Sequence, residues 1–168
     1  MSKKIHTIQS SDKVKFEKEV NFFLELGCEF LEGSYEVINK NNNNIYSQVI
    51  IYYGDLEFYK NGGIKSFYSR NKKGEKHGKW ISWFNNGQKE YQKLFSQDKH
   101  INESFWWNND GKLQRKHEYL NNKPKNMTSN VFEHFVESKY HKNEKLSSEK
   151  RYIKEKLGEK IILHGRSR

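Results

Sequence analysis

Apolar positions along the chain follow two different rhythms. From Lys13 to Leu26 the sequence KVKFEKEVNFFLEL places Val14, Phe16, Val20, Phe23, Leu24 and Leu26 at near-helical spacing. Ser11 and Asp12 stand ahead of this stripe as candidate caps, and Gly27 follows it as a natural stop. Beyond Gly27 the spacing changes. Residues 29 to 38 and 45 to 53 are rich in β-branched and aromatic side chains and flank the polar run Lys40 to Asn44, which predicts a hairpin with a polar loop. With residues 4 to 8 as a first strand, residues 1 to 53 read as a small β-α-β-β domain.

From residue 54 onward the pattern repeats. Phe58-Tyr-Lys-Asn-Gly62, Trp83-Phe-Asn-Asn-Gly87 and Trp107-Asn-Asn-Asp-Gly111 align on a glycine, with 25 and then 24 residues between successive glycines. Each glycine follows Asn or Asp, a strong hairpin signal that reads as a turn with positive φ at both positions. A fourth, decayed copy stands at Tyr140-His-Lys-Asn-Glu144, with Glu in the glycine's place. Phe95, Tyr119 and Tyr152 lie eight residues after the second, third and fourth turns; the first copy has Arg70 at that offset, preceded by Phe67 and Tyr68. The spacing grows to 33 before the fourth copy, and residues 121 to 130, which include Pro124, read as an inserted loop. Residues 148 to 157 fit either a strand of the fourth copy or a helix capped by Gly158, and the repeat alignment favours the strand. The expected fold is mainly β, α+β overall: the N-terminal element followed, over residues 54 to 168, by a single-layer antiparallel β-hairpin array.

Composition agrees with sheet over helix. Alanine is absent, hydrophobic residues make up 33%, and 15% of the chain is aromatic, so the core must be built largely from rings. Charge is unevenly spread. Residues 1 to 55 hold 6 lysines and 8 acids, whereas residues 56 to 168 hold 25 basic and 13 acidic residues, so the net charge of +10 belongs to the repeats. Such a field speeds encounters with polyanions or acidic protein faces. Lysine-rich usage of this kind is equally what an AT-rich genome, bacterial or phage, produces. Cys28 is the single cysteine, which fits a reducing compartment. The start MSKKIHTIQSSDK has no apolar signal-peptide core and no apolar run approaches the length of a membrane span, so a cytoplasmic protein is expected.

The segment Gly78-Lys-Trp80-Ile-Ser-Trp83-Phe-Asn-Asn-Gly87-Gln-Lys-Glu, after Lys76-His77, resembles the MORN (membrane occupation and recognition nexus) repeat, in the variant found in bacterial proteins labelled as antitoxins. The resemblance covers roughly residues 54 to 160. It implies an elongated, gently curved single layer of hairpins used for protein or lipid contact, and no enzyme activity. The stretch LELGCEFLEGSYEV with IYSQVIIY resembles a small bacterial domain of unknown function, and supplies no catalytic residues.

Several residues are candidates for function. The aromatics four before each turn glycine, Phe58, Trp83, Trp107 and Tyr140, are expected in the core. Neighbours on a strand point to opposite faces, so among Trp80, Trp83, Phe84, Phe105, Trp106 and Trp107 one set should be exposed to bind a partner. Arg70, Lys72, Lys73, Lys76 and Lys79, with Lys112, Arg115 and Lys116, form two basic clusters that would contact phosphate if RNA or single-stranded DNA binds. The seven histidines show no ligand spacing, and no nucleophile elbow or phosphate loop occurs, so neither a catalytic residue, a metal nor a cofactor is expected. The leading expectation is a non-enzymatic protein-interaction or inhibitor module, antitoxin-like, whose partner is another protein or nucleoprotein. RNA binding is the alternative; a membrane partner ranks last, and a small-molecule substrate is not expected.

Overall fold

A computed structural model describes residues 1–120, 132–155 and 161–164 of the chain. It is mainly β, with a single helix among the described residues. The N-terminal unit runs β1 (Lys4–Ser10), α1 (Lys13–Glu25), β2 (Glu29–Phe30), β3 (Glu36–Lys40) and β4 (Asn43–Tyr52). The helix begins where Asp12 accepts a hydrogen bond from the Lys15 amide at 3.0 Å. It ends at Gly27, whose φ of +92° lets the Cys28 amide fold back onto the Phe23 carbonyl at 3.1 Å. β4 is the centre of a four-stranded sheet, with β1 on one side and β2 and β3 on the other. Two details differ from the sequence expectation. The strand expected over residues 29 to 38 is split at Gly33, which has φ +72°. The polar loop closes more tightly than a five-residue run, because Asn41 (φ 50°) and Asn42 (φ 63°) alone make the turn; asparagine tolerates this left-handed backbone.

The repeats form a second, ten-stranded sheet in which almost every strand pairs antiparallel with its neighbours in sequence. Its strands are β5 (Gly54–Phe58), β6 (Ile64–Arg70), β7 (Lys76–Trp83), β8 (Lys89–Ser96), β9 (Lys99–His100), β10 (Glu103–Trp107), β11 (Leu113–Tyr119), β12 (Phe132–Tyr140), β13 (Leu146–Glu155) and β14 (Ile161–His164). β9 and β10 both pair with β8, with Asn102 (φ 55°) between them. The segment 148 to 157 is strand rather than helix as far as Glu155; the inserted loop expected over 121 to 130 lies outside the described residues.

The repeated turn has one construction. Amides of Tyr59, Phe84, Asn108 and His141 donate to the carbonyls of Gly63, Gln88, Lys112 and Lys145, and the amides of Gly62, Gly87, Gly111 and Glu144 return to the first residue of each turn, all within 2.7–3.0 Å. Only the last of these positions has positive φ: +84° at Gly62 and Gly87, +77° at Gly111, and +61° at Glu144. The expectation of two left-handed positions is therefore corrected. This is a three-residue loop in which the glycine, or Glu144 in the fourth copy, makes the bulge, and Asn61, Asn86 and Asn143 accept through their side chains from the amide two residues on, as Asn86 does from Gln88 at 3.1 Å; in the third turn Asn108 takes this part. Asn71–Gly74 is a fifth turn of the same build, joining β6 to β7. It escaped the alignment because Arg70 replaces the leading aromatic.

One core joins the two sheets. Phe16, Phe23 and Leu26 of the N-terminal unit, with Ile8 and Ile50, pack together with Phe67, Ile81 and Trp83 of the array. Phe22 of α1 lies 5.7 Å from Trp83, ring centre to ring centre, and the Lys79 ammonium caps the helix by donating to the Glu25 carbonyl. The chain passes between the sheets at Gly54. There φ is +139°, and a Cβ would collide with the Tyr68 carbonyl. Beside it Asp55 joins Lys4 (2.9 Å) and Arg70 (3.4 Å), and the Lys4 hydrogen bond leads in holding its carboxyl below the ordinary range. Of the four aromatics expected in the core, Trp83 alone is fully buried. Trp107 and Tyr140 are half-buried, because α1 covers only the first strands of this face, and Phe58, on the edge strand β5, is 42% exposed with His6 stacked on it at 5.3 Å.

Two substitutions test this account. Gly54→Ala should cost roughly 3 kcal/mol or more in a urea unfolding experiment, since neither the backbone angle nor the Tyr68 carbonyl can yield cheaply. Glu144→Gly should instead stabilise the array by about 0.5 to 1 kcal/mol by relieving a left-handed non-glycine residue; an unchanged midpoint would count against the fourth turn.

Candidate functional site

The face of the array turned away from α1 carries the distinctive chemistry. Strand alternation and the turn register decide what stands there: residues four, six and eight after each turn glycine point to this side. They are Ser66, Tyr68 and Arg70; Tyr91, Lys93 and Phe95; Arg115, His117 and Tyr119; and, after Glu144, Ser148, Lys150 and Tyr152. β7 adds Lys76, Trp80 and Ser82, and β10 adds Ser104 and Trp106. Ser66, Ser82 and Ser104 are buried, and their small size lets the larger rings beside them lie across the sheet.

A ladder of rings crosses the strands without a gap. Tyr68, Trp80, Phe95, His100, Tyr119, Phe135 and Tyr152 follow one another at centroid distances of 4.2 to 5.5 Å. Three of its members are the aromatics eight residues beyond the turns. The ladder gives this face lateral packing where no second layer stands among the described residues, and contacts of this kind contribute about 0.5–1.5 kcal/mol each beyond area burial. Trp80 is anchored through its indole N–H to the Ser69 carbonyl at 2.6 Å, and the Tyr91 and Tyr68 hydroxyls meet at 2.6 Å.

Cations lie over these rings. Arg70 and Lys76 stand 5.2 and 4.9 Å from the Trp80 centre, Lys93 stands 4.7 Å from Tyr91 and 5.5 Å from Trp106, and Arg115 stands 5.2 Å from Trp106. No acid pairs with Lys76 or Lys93 among the described residues. Burial leads in lowering the Lys93 pKa, and the neighbouring charges of Lys76 and Arg115 add to it. Acids gather at the flanks: Glu90 accepts from Ser82 at 2.7 Å, and Glu137 meets His117 at 3.0 Å, Lys139 at 3.3 Å and Arg115 at 4.0 Å. A patch of tryptophan, tyrosine, lysine and arginine therefore remains electrostatically unanswered at its centre, able to take an anionic surface.

The residues singled out in the sequence are divided by the fold. Of the six aromatics, Trp80 and Trp106 share this face. Trp83 belongs to the core; Phe105 and Trp107 stack on each other at 5.6 Å on the opposite face, and Phe84 opens a turn. Of the eight cations, Arg70, Lys76 and Arg115 join the face. Lys72 and Lys73 occupy the turn closed by Gly74, Lys112 follows another turn, Lys79 holds the helix end, and Lys116 pairs with Glu103 on the far side. Tyr68, Tyr91 and Lys93 complete the patch and were not singled out. Counting even offsets from each turn glycine would have found all three.

Cys28 is buried, and burial pushes its thiol up to about 12, so it stays protonated. Among the described residues no cluster of His, Cys, Asp and Glu could hold a metal ion.

Two histidines set an acid limit. Burial lowers the pKa of His6 and of His117, outweighing the acids near each, Glu19 and Glu137. A folded-state pKa below the unfolded value of ~6.5 means that the unfolded chain binds more protons, so stability should be full above about pH 7 and decline as pH falls through the sixes. Glu137, held below the ordinary carboxylate range by His117 and Lys139 against the upward push of burial, deepens the loss at lower pH. Thermal melts of wild type and His117→Gln between neutral and mildly acidic pH check this: the variant should show the weaker decline.

No protein-family model, no curated protein and no solved structure matches the chain.

Proposed function

We propose that the chain is a non-enzymatic binding protein that sequesters another macromolecule, antitoxin-like in that sense, and that the Trp80–Trp106 face of the array docks an acidic face of a protein partner. The observation that carries this reading is the make-up of the patch. Trp80, Trp106, Tyr68 and Tyr91, interleaved with Arg70, Arg115, Lys76 and Lys93, are fixed on hydrogen-bonded strands. Trp, Tyr and Arg are the side chains that dominate interface hot spots, and a rigid presentation lowers the entropy lost on docking. Lys76 and Lys93, which no acid answers among the described residues, select an acidic counterpart and speed its approach. The five turns of one construction support reading the array as MORN-like. A depression between Gly27 and Arg70 measures about 60 Å³, against the several hundred Å³ usual for small-molecule sites.

A second reading, single-stranded nucleic acid on the same face, draws on Lys93, whose ammonium lies between two rings and two further cations. Phosphates and bases would both find complements there.

One experiment separates them. Tagged wild type and Trp80→Ala/Trp106→Ala are used for capture from host extract, with and without nuclease. A protein bound by wild type, lost from the double variant and retained after nuclease supports the first reading; a loss of roughly thirtyfold in affinity, about 2 kcal/mol, is expected. Capture abolished by nuclease transfers the face to nucleic acid, and in that case Lys76→Glu/Lys93→Glu/Arg115→Glu should eliminate binding rather than mainly slow it. Equal capture by wild type and double variant removes this face from the function.

A further inference from the structure

The small sheet ends in an edge that the array face does not use. β3 pairs with β4 along one side, and no described strand meets its other side. All five residues from Glu36 to Lys40 are exposed, Val37 to 47% and Ile38 to 39%. Such an edge invites another strand unless something prevents it.

The turn at Asn41 and Asn42 fixes which groups are on offer. Lys40 opposite Asn43 closes the hairpin, so Lys40, Ile38 and Glu36 turn their backbone groups towards β4, and Val37 and Asn39 turn theirs outward. Outward-facing residues on either side of Ile38 match a two-fold axis through that residue. We propose that β3 pairs antiparallel with β3 of a second copy of this chain, centred on Ile38, to form a homodimer.

In this register Val37 and Asn39 of one copy exchange backbone hydrogen bonds with Asn39 and Val37 of the other, about four in all. The two Ile38 side chains meet on the outer face, each backed by Ile45 of its own β4. Glu36 of each copy faces Lys40 of the other. Neither Glu36 nor Lys40 forms an ion pair among the described residues of its own chain, so the dimer answers both charges. A lone lysine on an edge repels a second strand; here the mirror position holds its complement. Re-centring the axis on Val37 or Asn39 sets Glu36 against Ile38 or Lys40 against Ile38 and loses both charge pairs, so side-chain chemistry selects the register as well as the backbone does. An isologous contact of this kind closes at two copies and leaves the array face of each free.

Sedimentation velocity across the micromolar range tests the proposal, with circular dichroism confirming that each exposed substitution leaves the fold intact. Wild type should pass from monomer to dimer as concentration rises. Glu36→Lys and Lys40→Glu, which each set like charges face to face twice, should weaken self-association roughly tenfold. An equimolar mixture of the two single variants should dimerise again, as should Glu36→Lys/Lys40→Glu alone. A wild type that stays monomeric, single variants that associate as well as wild type, or a mixture that fails to recover would overturn the assignment. A dimer lost on Trp106→Ala but indifferent to these charges would overturn it too, placing self-association on the array.

Discussion

A sheet has two faces, and the described residues of this molecule supply one helix with which to cover them. That mismatch governs the rest of the structure. α1 spans only the first strands of the array, burying Phe67, Ile81 and Trp83 with the core of the N-terminal unit. Among the described residues, every other stretch of the long sheet has to find its stabilisation within a single layer. The ring ladder from Tyr68 to Tyr152 is the answer on one face, supplying lateral contact between strands that a second layer would otherwise provide. Phe105 stacked on Trp107, with Lys89 lying 6.0 Å above the indole, is a shorter version on the other.

The same mismatch explains where the charge lies. Rings left half-open to water need polar covers, and long basic side chains can lie their methylenes along an apolar surface while keeping their charge hydrated. Arg70 and Lys76 cover the ladder at Trp80 in this way, Lys93 and Arg115 cover Tyr91 and Trp106 beside it, and cation–ring contacts contribute about 0.5–1 kcal/mol where exposed and more where desolvated. The side chains that stabilise the face are thereby the same ones to which recognition is assigned in the proposed function. On the proposed reading, a partner docking on the face would have to displace or answer these cations, which is why an acidic surface is the counterpart proposed.

Much of this was legible because the turns carry it. Glycines 62, 87 and 111 fix the register of the strands that follow, and register fixes the face. The aromatics at the eighth position after a turn were visible as a pattern and proved to be rungs of the ladder. The helix stood out through its caps, Asp12 and Gly27. What stayed hidden was the third dimension of the array. Nothing in the spacing of Phe58, Trp83, Trp107 and Tyr140 says that the helix packs on Trp83 and not on the others, since that depends on how the chain crosses between the sheets at Gly54. The basic clusters misled for a related reason: neighbours in sequence, such as Lys72, Lys73 and Lys76, are separated by a turn, whereas Lys76, Lys93 and Arg115 are brought together only by pairing across β7, β8, β10 and β11. Charge density along a chain and charge density on a surface are different quantities in a meander.

The meander has a mechanical consequence. Its strands lie across the long axis of the array and each pairs with its sequence neighbours, so tension drawn between the two ends of the array would load the backbone hydrogen bonds one rung at a time, as in a zip, and not a whole strand at once in shear. The array should therefore be compliant along its length, yielding hairpin by hairpin from the end remote from α1. The helix-backed strands, tied through Phe22, Trp83 and the Lys4–Asp55–Arg70 group, would be the last to give way.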